Sequence, residues 1–156
     1  STVTAGDALT LAAQATGTVS SFGVAVSLSV AIPTGKSPLA AALAGTYTYA
    51  PVRVKNSVTA EIASGDIAAD SITVQASDSQ TITSELGAIS GSVGVFAGSF
   101  GGSRSDAEIA DTVVARIGAA TVKANDGAIT VEARSANTVT VSTVGTAVGA
   151  LVGALV

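Results

Sequence analysis

Ala69-Asp70-Ser71-Ile72-Thr73-Val74-Gln75-Ala76 is the stretch on which the reading of this chain turns. It opens on turn residues and continues apolar, Thr, apolar, variable, Ala. The pattern occurs earlier as Gly6-Asp7-Ala8-Leu9-Thr10-Leu11-Ala12-Ala13. It returns as Asp126-Gly127-Ala128-Ile129-Thr130-Val131-Glu132-Ala133. Leu11, Val74 and Val131 mark the same place in successive copies, and the two intervals between them are nearly equal. Alternation with period two predicts a half-buried strand in each copy. Asp7, Asp70 and Asn125-Asp126-Gly127 stand where turns are needed, and Asx and Gly residues suit turn backbone.

Two further blocks keep the same order. Thr18-Val19-Ser20, Thr81-Ile82-Thr83 and Thr138-Val139-Thr140 recur at the same two intervals as the first block. Each runs into a stretch rich in Gly, Ala, Ser and Val, at 22–32, 86–100 and 144–156. Asn56-Ser57-Val58-Thr59-Ala60-Glu61-Ile62 matches Asp111-Thr112-Val113-Val114-Ala115-Arg116-Ile117 at a similar interval. The repeat copies therefore run roughly 1–65, 66–119 and, in part, 120–156. Residues 33–52 read as an insertion in the first copy, projecting from the scaffold. A short helix is expected over Leu39-Ala40-Ala41-Ala42-Leu43-Ala44, from Ala and Leu propensity between Pro38 and Gly45.

Fixed-offset repeats of strand-forming segments point to an all-β fold, a parallel β-helix (β-solenoid). By analogy with other solenoids, each repeat is expected to divide into coils of roughly 20 residues, about seven in all. Leu9, Ile72 and Ile129 then point inward, with Leu11, Val74 and Val131. Ala13, Ala76 and Ala133 fill narrower places, and Thr10, Thr73 and Thr130 face outward. An antiparallel sandwich or barrel is the competing architecture, but it has no need of similar segments at fixed offsets.

Composition narrows the function. The 156 residues are enough for one domain with a core. Ala, Gly, Ser, Thr and Val make up more than two-thirds of them. The chain has no Cys and no His, which removes disulfides, thiolate nucleophiles, zinc–cysteine sites and imidazole bases. Only 12% of residues are charged and the net charge is −4, so nucleic acid is not an expected partner. No metal or cofactor is expected. The chain begins without Met, shows no basic-start signal peptide, and reads as a piece of something longer.

Charge is unevenly placed. Residues 8–35, 37–52, 86–103 and 135–156 carry none. Those strips either lie buried or pack on another protomer or another part of a longer chain. Gly145, Gly149 and Gly153 have the spacing of a transmembrane helix contact, but Thr138-Val139-Thr140-Val141-Ser142 alternates as a strand, so a membrane span is not expected. Thr ladders for ice, single turn aspartates for calcium, and Asp106, Glu108 and Asp111 with Arg104 and Arg116 as a polysaccharide-cleaving site each have a plainer reading as strand, turn and solvated edge. No catalysis is expected. The best candidates for a specific contact are Tyr47, Tyr49, Arg53 and Lys55, which share one face of a strand.

Asp70-Ser71-Ile72-Thr73-Val74-Gln75-Ala76-Ser77 and Gly127-Ala128-Ile129-Thr130-Val131-Glu132-Ala133-Arg134-Ser135 resemble repeats of large bacterial filamentous-haemagglutinin and leukotoxin-like surface adhesins. The segments 111–124 and 87–102 look like the linking and Gly/Ala/Val-rich parts of such repeats. The resemblance covers most of the chain outside 33–52. It implies an extracellular β-solenoid stalk on a bacterial surface, a structural segment whose partners are copies of itself or flanking repeats. The alternative is a module that recognises a host or neighbouring-cell glycan or protein through the Tyr-containing segment.

Overall fold

The computed structural model describes residues 1–32 and 40–151. The described chain is built from strands, with no helix. They are β1 (Thr2–Thr4), β2 (Ala8–Val30), β3 (Ala41–Ala69), β4 (Ser71–Gly94), β5 (Phe96–Ala124), β6 (Ile129–Ser135) and β7 (Thr138–Leu151). One sheet has the order β1-β3-β5; the other has β2-β4-β6, with β7 also on β4. The pairs β1–β3 and β4–β6 are parallel. These features agree with a parallel β-helix.

Register follows the sequence repeat. Ile72 faces Ile129, Thr73 faces Thr130, Val74 faces Val131 and Ala76 faces Ala133. In the other sheet Thr2 faces Asp66. Hydrogen-bonded neighbours thus lie one whole repeat apart in the chain. Coils of roughly 20 residues were the expectation, and the pairing corrects it. Strands of 23 to 29 residues replace several short ones, because β2, β3, β4 and β5 keep strand-forming alternation without a break.

The chain divides into two compact units. Unit 1 comprises Ser1–Val19, Arg53–Thr81 and Glu108–Val139. Its core joins both sheets. Val58, Ala60 and Ile62 of β3 meet Ile72, Val74 and Ala76 of β4. Leu9 and Ala13 of β2 and Val113, Ala115 and Ile117 of β5 pack against them. Ile72, Val74 and Ala76 are fully buried, while their partners Ile129 and Val131 on the terminal strand β6 remain about half exposed. The register stacks the expected inward residues of β4 on those of β6, while Leu11 on β2 and Ala133 on β6 are exposed. Gly65 is the one described residue with positive φ, at 119°, and a side chain there would strike the Ser1 carbonyl.

Unit 2 comprises Ser20–Val52, Ile82–Ala107 and Thr140–Val156. Its interior combines the small residues Ala42, Ala44, Ala88, Ser84, Ser90 and Ser92 with Ile82, Leu86 and Val52, all buried. The sheets approach almost to backbone contact. A Cβ on Gly101 would lie 2.7 Å from the Thr146 carbonyl oxygen and 3.1 Å from that of Ala88. Residues 41–52 do not project as an insertion. They form the first part of β3, with Ala42, Ala44 and Val52 buried. The same alternation overrides helix propensity from Ala41 to Ala44, with Ala42 and Ala44 buried at alternate positions. Residues 33–39 lie outside the described residues.

Ile72→Ala should cost about 2–5 kcal/mol, read by denaturant unfolding, because the cavity sits between two stacked repeats. Gly101→Ala should cost about 1–3 kcal/mol in the same assay, since the clash is with backbone. Ser90 Oγ and Ser92 Oγ are buried without a partner. Ser90→Ala and Ser92→Ala should each raise stability by about 1 kcal/mol.

Candidate functional site

Tyr47, Tyr49, Arg53 and Lys55 occupy alternate positions of β3, and all four are exposed. In unit 2 the Tyr49 hydroxyl donates to Asp106 Oδ2 at 2.9 Å. The Arg104 guanidinium lies 5.9 Å from the Tyr49 ring centroid and holds Asp106 Oδ1 at 3.0 Å. Tyr49 is thereby fixed by two charged neighbours. Tyr47 leans over Gly102, whose Cβ would lie 3.3 Å from the ring. In unit 1 Arg53 pairs with Glu108 at 3.2 Å, both side chains well exposed. Such a pair is worth at most ~1 kcal/mol. Among the sequence candidates, Asp106 and Glu108 are thus partnered by Arg104 and Arg53, each in its own unit.

The least expected feature lies in unit 1. Along β4 every even position is buried, and the apolar run Ile72, Val74, Ala76 gives way to Asp78 and Gln80. Asp78 is 3% exposed. Its Oδ1 accepts from Asn56 Nδ2 at 2.7 Å and from Gln80 Nε2 at 2.9 Å. Asn137 Nδ2 donates to Asp111 Oδ2 at 2.9 Å, and its Oδ1 accepts from the Gln80 backbone N–H at 3.0 Å. The carboxyls of Asp78 and Asp111 lie close enough to shift one another's titration. Asp78 Oδ2 and Asp111 Oδ1 accept from no N–H or hydroxyl donor.

Two carboxyls so coupled titrate as a pair. Burial pushes Asp78 up, but hydrogen bonds from Gln80, Asp111 and Asn56 outweigh it and hold that carboxyl below its ordinary value. Burial pushes Asp111 up, and its hydrogen bond and charge repulsion with Asp78 add to the rise. Of the pair, Asp78 is the stronger acid and Asp111 the weaker. Sequence reasoning placed Asp111 on a solvated edge and passed over Asn56, Asp78, Gln80 and Asn137. The available signal was polarity at an inward position of an alternating strand, repeated where Asn56 aligns with Asp111 and Gln80 with Asn137.

No group of three or more acidic side chains suited to a metal occurs among the described residues. A shallow depression in unit 1 is lined by Thr2, Val3, Asp66, Ile67, Thr121 and Lys123 and is mainly apolar. No protein-family model, curated protein or solved structure matches this chain.

The acid pair predicts a pH profile. The Asp78 contribution is complete above its unfolded-state pKa and is lost as pH falls through its lowered folded value. The Asp111 contribution is complete below its unfolded-state pKa and is lost as pH rises through its raised folded value. Wild-type stability from the pair therefore declines on both sides of an acidic window. Asp111→Asn keeps a donor toward Asp78 and removes the titrating acid. Thermal unfolding of this variant should lose the decline on the alkaline side of the window and keep the one on the acid side. A wild-type profile that rises steadily from acid to neutral pH would contradict the opposite shifts of the pair.

Proposed function

We propose that this chain is a non-catalytic structural segment of a bacterial extracellular adhesin or filament, a β-solenoid whose coils continue onto further repeats. The observation that carries this reading is the register. Repeat pairs with repeat in parallel, like residue on like, and nothing in that geometry limits the number of repeats. In the order β1-β3-β5 the outer strands each leave one side unpaired, and β2 and β6 do so in the other sheet. Open edges of this kind invite a further strand. Half-exposed Ile129 and Val131 offer the apolar surface on which the next equivalent pair would stack.

Recognition of a receptor or glycan through Tyr47 and Tyr49 draws less support. Tyr49 is engaged by Asp106 and Arg104, and its strand belongs to the unit 2 scaffold rather than to a free loop. Deletion of 36–50 would remove buried Ala42 and Ala44, so Tyr47→Ala is the cleaner probe of that alternative. Unchanged glycan or cell binding by Tyr47→Ala removes it.

The stacking reading predicts end-to-end association. Electron microscopy at rising concentration should show particles lengthening along one axis. Val131→Lys puts a charge on the surface where the next repeat would land, and it should stop lengthening while far-ultraviolet circular dichroism is kept. Discrete particles of constant size at every concentration would sink the reading.

A further inference from the structure

The two units differ in what they turn outward. In unit 1 the less exposed positions of β2 include Leu9, Ala13 and Ala15, and Thr10, Gln14, Thr16 and Thr18 are exposed. In unit 2 the same strand places Gly23, Ala25, Ser27 and Ser29 at the less exposed positions. Phe22, Val24, Val26, Leu28 and Val30 alternate with them and are exposed, Phe22 to 77% and Leu28 to 74%. The other sheet does likewise within unit 2. Ala42, Ala44, Thr46 and Thr48 are the less exposed positions of β3, while Leu43, Tyr47 and Tyr49 face out. On β5, Phe96 and Phe100 are each 60% exposed.

We propose that the outward faces of unit 2 contact lipid hydrocarbon, so that this unit lies in a bilayer. Charge complementarity favours this occupant. Among the described residues unit 2 has three charged side chains, Glu85, Arg104 and Asp106. Arg104 and Asp106 pair with each other beside Tyr49, an aromatic and charged margin of the kind found at the headgroup level. Along β2, β3 and β7 the unit 2 positions carry no charge, matching a partner that offers none. Extent favours it as well. Phe22 to Val30 is eight residue steps, about 26 Å of strand. The apolar band of a transmembrane barrel strand is about 25 Å tall, with apolar residues outward and polar ones inward.

A second copy meets only part of the requirement. A two-fold contact buries one patch on each protomer, whereas unit 2 is apolar outward on both sheets. A bilayer reaches both at once. Hydrocarbon also demands paired backbone, so the open edges must be closed by neighbouring repeats or copies. To that extent the inference rests on the stacking reading. The proposal concerns strands, not a helix through the last segment.

The test mixes the full chain with vesicles of uncharged phosphatidylcholine and follows flotation in a density gradient, in low salt and in 1 M NaCl. The chain should float in both, because the attraction is apolar. Val26→Asp with Leu28→Asp should lower the floating fraction at least about tenfold, since acidic groups are costly in hydrocarbon. Thr16→Asp, outward in unit 1, should float as the wild type does. A second measurement needs no variant. The chain has two Tyr and no Trp, and both Tyr lie on the unit 2 face. Acyl-brominated phosphatidylcholine should quench their emission relative to the unbrominated lipid. A chain that stays with the soluble fraction, as monomer or as particles, overturns the proposal, and so does floating without quenching. Filaments that lengthen yet never float would overturn the lipid contact and leave stacking intact.

Discussion

Everything in this structure depends on strands pairing in parallel with the equivalent strand one repeat away. In that register a residue's neighbour along the stack is its own counterpart, as Ile72 is to Ile129 and Val74 to Val131. A face good for one coil must then be good for all. Apolar residues stack into continuous inward ridges, and Thr73 on Thr130 makes the outward one. The same rule permits ion pairs only where the repeats differ. Glu61 and Arg116 hold equivalent places in matching blocks, and the difference in sign lets Arg116 Nη2 reach Glu61 Oε2 at 2.8 Å.

A buried charge in such a stack needs partners beyond its counterpart. In unit 1 Asp78 stacks on Ser135, and its partners come from side chains packed around it. The amides of Asn56 and Gln80 donate to Asp78 Oδ1, and that of Asn137 to Asp111 Oδ2. Burying such a group without partners would cost several kcal/mol. With them, a polar cluster stands within a core that is otherwise Val, Ile and Ala.

The repeat and its register were legible because they reside in side-chain identity. The blocks around Leu11, Val74 and Val131 align by eye, and the backbone pairs as they align. Coil length was not legible. Alternation tells which face a residue takes but not how far a strand runs, and β4 carries its alternation through 24 residues. The first part of β3 was hidden for another reason. Ala42, Ala44 and Thr46 share with Ala97, Ser99 and Gly101 only their small size, and smallness resembles helix propensity as much as a narrow core. The acid pair was hidden because Asp78 on β4 and Asp111 on β5 belong to different sheets. Only packing brings them together.

Lack of charge in 8–35, 37–52, 86–103 and 135–156 fits a buried strip and an exposed apolar one equally well as sequence. The alternation in three dimensions separates them. A strand buried on both faces would show little exposure at either parity, and β2 shows large apolar side chains exposed at every second position from Phe22 to Val30. Fully burying a Val, Leu or Phe side chain is worth about 1.5–3 kcal/mol. The five such residues of β2 alone therefore hold on the order of 10 kcal/mol for whatever apolar phase covers them. Ile82, Leu86 and Val52 supply the inward apolar surface of unit 2, beside Ser84, Ser90 and Ser92, which return little on burial. An apolar phase that covered the outward side chains would have to reach both sheets.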